Sequence, residues 1–300
     1  MAMTSMTSAT TSAMNASMAS AVDRELTAEL RGFRQVQRLA YECAEAVAAQ
    51  LRPGVTERDA ARMQREWLRA RGVRDWFHLP FAWFGDRTAF VNFRVPLQFF
   101  PTNRRLEPGM PFILDMAPVH GGFTADIGYS GALGLNPLHD RLLDDLRAHR
   151  ELILAEVRER RSLREIYEDV ERLMVRQGYA NRHRAYPFGV IAHKVGRVKE
   201  RRWSPHVFGF GTQSLKGLAS DALHGHRDGW SPLWSPYTFS DHPPRPGLWA
   251  VEPHLGFRGT GAKFEELLVV TDSRDPQESA FWLDDDLPHV RRGQQEERAA

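Results

Sequence analysis

The sequence predicts an α+β fold made of two similar halves, each a pair of helices followed by a β-hairpin. Three observations carry this expectation. Two long stretches with helical apolar spacing are each followed by a shorter helix with a matching cap and stop. Each helix pair is followed by an apolar run that turns back on itself. Each of these hairpins carries a pair of acidic residues set within its apolar residues.

The first long helix is marked by Leu26, Leu30, Phe33, Val36, Ala40, Cys43, Val47 and Leu51, which recur at three- and four-residue spacing along one face. Thr56-Glu57-Arg58-Asp59 then has the pattern of a capping box, and Gly72 can stop the helix it opens. The second half repeats the design. An amphipathic stretch from Leu142 to Val157 precedes Ser162-Leu163-Arg164-Glu165, with Gly178 as the stop at the same distance from its cap as Gly72 from Thr56.

The acid pairs are Asp115 with Asp126 and Glu252 with Glu265. The midpoint of the first pair falls between His120 and Gly121, and that of the second between Arg258 and Gly259. Symmetric antiparallel hairpins would therefore place each pair face to face. One acid pair beside a turn is ordinarily solvated surface. Here the acids adjoin Phe112-Ile113-Leu114 and Leu267-Leu268-Val269-Val270, which argues for buried strands. Four carboxylates on buried strands repel one another unless cations hold them. Glu266 adjoins Glu265, but strand alternation puts only one of the two on the acid face, and the symmetric register selects Glu265; a one-residue bulge would reverse that choice.

Composition excludes several classes. The chain has 300 residues, 42% of them hydrophobic, and a net charge of +2. Its basic residues are almost all arginines spread along helices among Glu and Asp, a solvated pattern with no nucleic-acid stripe. No stretch is long and apolar enough to span a membrane. Cys43 is the single cysteine, expected as a small core residue, and one cysteine permits no internal disulfide. Residues 1–22 form a Met, Thr, Ser and Ala tract expected to lie outside the fold. Residues 23–275 make one domain, and 276–300 a C-terminal segment ending in a polar, frayed tail. Without a signal peptide the expected location is cytoplasmic.

The residues then resemble the pita-bread metallopeptidases, the family of methionine aminopeptidase, aminopeptidase P, prolidase and creatinase. The resemblance spans about residues 24–272 and rests on Leu51-Arg52-Pro53-Gly54-Val55-Thr56-Glu57, Pro108-Gly109-Met110-Pro111-Phe112-Ile113-Leu114-Asp115, Ala192-His193-Lys194-Val195-Gly196 and Pro246-Gly247-Leu248-Trp249-Ala250-Val251-Glu252-Pro253. It implies a curved antiparallel sheet with pseudo-twofold symmetry and a centre of two divalent ions. By resemblance, Asp115 holds one ion, His193 and Glu252 hold the other, and Asp126 and Glu265 bridge both. Such an oxygen-rich set suits manganese, iron(II), cobalt or zinc. The implied chemistry is a metal-activated hydroxide attacking an amide carbonyl, with Glu252 as general base or proton shuttle. The implied substrate is a small peptide of the Xaa-Pro kind or a small amide, and a homodimer is the assembly to test.

The chain departs from the peptidase pattern on the substrate side. The histidine usual seven residues after the metal histidine is replaced by Glu200, and the one usual seven residues after the strand glycine Gly85 by Asn92. His206 is therefore a candidate catalytic donor, and Asn92 and His78 are candidate substrate contacts. These departures keep two other readings open: a non-peptidase enzyme on the same fold, such as a creatinase-like amidinohydrolase or a lyase, and a retired peptidase scaffold used for binding. Residues 200–246, with Trp203, Trp230, Trp234, Tyr237 and Phe239, read as an irregular insert. Its His224-Gly225-His226 is more simply a pair of solvent-facing histidines than a metal site.

Overall fold

Both capping boxes form in the computed structural model, which describes residues 27–200, 205–236 and 240–299. The tract 1–22, Trp203, Tyr237 and Phe239 lie outside the described residues. Helix α1 (Ala28–Ala48) buries Phe33, Val36, Ala40, Cys43 and Val47. Each large apolar side chain on that face stabilises by about 1.5–3 kcal/mol. Helix α2 (Glu57–Ala70) starts at Thr56, whose hydroxyl accepts from the Asp59 backbone N–H, and the chain leaves it through Gly72 at φ +92°. The second half repeats this with α3 (Pro137–Arg158) and α4 (Leu163–Gln177), the latter capped by Ser162 and ended by left-handed Gly178.

After α2 come β1 (Asp75–Phe84), β2 (Pro111–His120), β3 (Phe123–Thr124) and β4 (Ile127–Ala132). After α4 come β5 (Ala180–Asn181), β6 (Ala192–Val195), β7 (His206–Val207), β8 (Phe210–Gly211), α5 (Thr212–Arg227) and β9 (Leu233–Trp234). The chain continues through β10 (Gly247–Val251), β11 (His254–Phe257), β12 (Thr260–Lys263), β13 (Glu266–Val270), α6 (Pro276–Ser279), β14 (Ala280–Trp282) and α7 (Pro288–Ala299). One sheet runs β3-β2-β1-β8-β7 with β4 on β2, a second β14-β13-β10-β6-β9, and a third β12-β11-β5. All the pairings are antiparallel. The first half packs α1 and α2 on the first sheet through Val36, Ala40, Leu68, Leu114 and Met116; the second packs α3 and α4 through Ile153, Ile166, Trp249 and Leu268. The halves meet where an isolated bridge joins Gly128 to Glu265.

The two hairpins differ in register from one another. The second is as expected: Val251 pairs with Glu266 and His254 with Lys263, which brackets Glu252 opposite Glu265. Its turn is Arg258-Gly259, with Arg258 at φ +54°. The first is shifted. His120 pairs with Phe123, so the turn is Gly121-Gly122, and Asp115 faces Gly128 rather than Asp126. Both glycines have positive φ, +60° and +79°, the backbone a two-residue hairpin turn requires, and this sets the register. Asp126 instead sits between β3 and β4, diagonal to Asp115 on the same face.

The described part of the insert is less irregular than its composition suggests. It contains the sixteen-residue helix α5, which buries Ser214 and Gly225. The C-terminal segment ends in helix α7, where Arg291 pairs with Glu45 at 2.7 Å and Arg292 with Asp144 at 2.9 Å. No helix among the described residues is long and apolar enough to cross a membrane.

Candidate metal centre

Strands from both halves converge on one buried spot. Asp115 comes from β2, Asp126 from the β3–β4 junction, His193 from β6, Glu252 from the β10–β11 junction and Glu265 from the β12–β13 junction. None of the five is more than 8% exposed. His193 reaches Asp126 Oδ2 at 3.3 Å through Nε2. Donor atoms of Asp126, His193 and Glu265 lie within 4.8 Å of one another, and those of His78, Asp115 and Asp126 do likewise. The alternation argument also resolves the neighbouring acids. Glu266 points to the opposite face, where Arg150 Nε donates to it at 2.6 Å and His289 Nε2 lies at 2.9 Å.

His78 joins the acids directly. Its Nε2 lies 2.9 Å from Asp126 Oδ1 and 3.2 Å from Asp115 Oδ1, while Nδ1 faces the Leu79 carbonyl at 2.8 Å. Asn92 does not join them: it is exposed, at φ +66°, on the turn after residue 89. His206 lies on β7, half-buried, one strand beyond β8, whose Phe210 pairs with His78. His224 and His226 lie on α5, where His224 Nδ1 is 2.7 Å from the Ser220 carbonyl within the same helix.

Two features were not foreseen from the sequence. Lys263 enters the cluster, its Nζ 2.5 Å from Asp115 Oδ2, 2.8 Å from Glu252 Oε2 and 3.0 Å from Glu265 Oε2. Alternation carried the signal, because Lys263 stands two residues before Glu265 and so shares its face. The second feature is an aromatic wall. Phe77 stacks on His193 at 5.2 Å with the planes 7° apart, and Phe81 stacks on His78 at 5.2 Å.

Burial sets the electrostatics. It raises Glu252 and, further, Glu265, where repulsion from Asp126 and Glu252 adds to it. At Asp126 burial is outweighed by His78 and His193, which hold that carboxyl far below the usual range. The same attraction overcomes burial at His78 and pushes it up to about 9. At Lys263 burial would weaken the charge, but Asp115, Glu252 and Glu265 raise it well above the ordinary lysine value. The arrangement is a basin of negative charge, partly answered from within.

The profile of metallopeptidase family M24 matches residues 31–272. The chain belongs to this family of metal-dependent hydrolases. Among solved structures it is similar to an X-Pro aminopeptidase from Thermotoga maritima (15% identity, TM-score 0.58, covering 88% of this chain and 63% of that one). It is also similar to a prolidase from Thermococcus sibiricus (16% identity, TM-score 0.61, covering 86% and 60%) and to a variant of Escherichia coli aminopeptidase P (14% identity, TM-score 0.57, covering 90% and 60%). These likenesses show the pita-bread fold. The chain thus spans about three-fifths of the length of these relatives. No curated protein sequence matches it.

Proposed function

We propose that this M24 chain hydrolyses an amide or peptide bond of a small substrate, with a divalent ion held in the acid cluster. The observation that carries the reading is the convergence of Asp115, Asp126, His193, Glu252 and Glu265, drawn from both halves of the fold, on one buried point. The donor set fits such an ion: Asp126, His193 and Glu265 offer two carboxylates and an imidazole within 4.8 Å, a combination suited to manganese, iron(II), cobalt or zinc. A bound ion would polarise the scissile carbonyl and make an attacking water more acidic.

The chain's own residues supply the rest. Glu252, its carboxyl raised by burial, is the proposed group that takes a proton from water and passes it to the leaving nitrogen. His78 offers Nε2 on the acid side and is the proposed donor to a developing oxyanion, where the sequence reading makes it a substrate contact and gives the donor role to His206. His206 is proposed as a further donor, supported by the position of β7 beside the strand that pairs with His78. Phe77 and Phe81 give the site an apolar wall, which favours a substrate with an apolar side chain or a proline ring. Xaa-Pro dipeptides are the first class to test, since the similar structures include an X-Pro aminopeptidase and a prolidase.

A non-peptidase reaction on the same scaffold is favoured by one observation, the exposure of Asn92 away from the acids. The deciding experiment is turnover of a panel of Xaa-Pro dipeptides and small amides by chelator-stripped protein, with and without added Mn²⁺. Metal-restored hydrolysis that is lost in Asp126→Asn supports the proposal. Metal-loaded, folded protein that cleaves no peptide or amide in the panel contradicts it.

A further inference from the structure

The acids of this centre already hold a cation. Lys263 is 1% exposed in its side chain, and its ammonium is shared by Asp115, Glu252 and Glu265. The placement is built in from several directions. A Cβ on Gly128 would come 2.1 Å from Lys263 Cε and 3.1 Å from Cδ, so the missing side chain is the groove through which the lysine stem runs. The backbone is pinned as well: Ser130 Oγ donates to the Lys263 carbonyl at 2.7 Å and accepts from its N–H at 2.9 Å. The Tyr186 ring closes another side, 5.1 Å from Nζ. A buried ammonium is tolerated only where its partners are this close.

The ammonium uses Asp115 Oδ2, Glu252 Oε2 and Glu265 Oε2, oxygens that two ions would otherwise need. Both oxygens of Asp126 face imidazoles instead. Two divalent ions would balance four carboxylates, but two beside Lys263 would set five positive charges against four negative, before the His78 imidazole against Asp115 and Asp126 is counted, and bring like charges into contact.

We propose that Lys263 permanently fills one of the two cation positions, so that the centre loads a single divalent ion, held by Asp126, His193 and Glu265 with His78 alongside. This rests on the metal-dependent reading above and revises the number of ions expected from the family resemblance. Lys263 then acts as a fixed counter-charge that keeps Asp115 and Glu252 from drawing in a second ion.

The test is equilibrium dialysis of the full chain against Mn²⁺, with elemental analysis of the ions retained. Wild type should retain one ion per chain. Lys263→Met should retain two, and so should Gly128→Ala, whose Cβ crowds the lysine stem out of its groove while the chain keeps all its charged residues. Lys263→Arg, which keeps a cation there, should stay at one. Two ions in wild type would overturn this inference alone. One ion in both Lys263→Met and Gly128→Ala, each shown to be folded by circular dichroism, would also overturn it. No uptake by wild type would overturn the metal-dependent reading together with it.

Discussion

Asp126 is the residue on which the proposed metal centre turns, because both of its oxygens face imidazoles that converge from different strands. Replacing it with Asn keeps the size and removes the charge. Metal bound only by the folded state stabilises by RT ln(1 + [L]/Kd), which is about 2.7 kcal/mol at a concentration of one hundred times Kd. For a domain of this size that shift amounts to roughly 5 °C or more in Tm. Loss of even an outer partner of a metal ligand weakens binding by about 10–100-fold, and Asp126 is proposed as a ligand itself. At the same Mn²⁺ concentration a hundred-fold weaker site would return only about 0.4 kcal/mol, under 1 °C. Thermal denaturation of wild type and Asp126→Asn, each with Mn²⁺ and with chelator, reads this difference directly. The chelator arm removes any effect of the substitution on the metal-free fold. Equal metal-dependent shifts in the two proteins would refute the assignment of Asp126.

Three further outcomes follow from the fold. Glu57 is fully buried and accepts from Phe84 N–H at 3.0 Å, Arg87 Nε at 2.8 Å and Thr102 N–H at 2.8 Å, so Glu57→Ala should cost about 3–5 kcal/mol in urea unfolding, and a loss below 1 kcal/mol would contradict this. A Cβ on Gly261 would meet the Thr88 carbonyl oxygen at 2.1 Å, so Gly261→Ala should destabilise by about 1–3 kcal/mol in the same assay, while an unchanged midpoint would show that the approach is not tight. His139 is fully buried, and burial lowers it to about 4. Its unfolded form takes a proton below about pH 6.5 while the folded form does not, so stability is whole above that pH and falls between 6.5 and 4. That amounts to roughly 2 kcal/mol by pH 5, so His139→Leu should show a flatter fall from pH 7.5 to 5 than wild type, and parallel curves would contradict it.

Legibility in the sequence followed the range of the interaction. Thr56 and Ser162 declared their helices because a capping box is satisfied within four residues. The second hairpin was readable because Arg258-Gly259 lies at the midpoint of its acids, whereas in the first the positive φ of Gly121 and Gly122 moved the turn by one residue. The helix within the insert escaped because Gly217 and Gly225 interrupt it and little of it is buried. At the site, the acids and His193 announced themselves through apolar runs that had no other reason to hold charge. Lys263 was among four lysines and shared a face with Glu265, yet its reach across to Asp115 depends on Gly128, which belongs to the other half of the chain. His78 was placed near substrate in sequence terms; its approach to Asp115 and Asp126 comes from irregular pairing of β1 with β2 around His78. Contacts of that kind join residues far apart in the chain and leave no local spacing to read.

The proposed metal centre is built from the buried acids of both halves, on the face that carries Asp126 and His193. Anomalous diffraction from crystals of the protein grown with saturating Mn²⁺ tests it most directly. The expected map shows a manganese peak bonded to Asp126, His193 and Glu265, with Lys263 still against Asp115 and Glu252. A map with no manganese at these residues would contradict it.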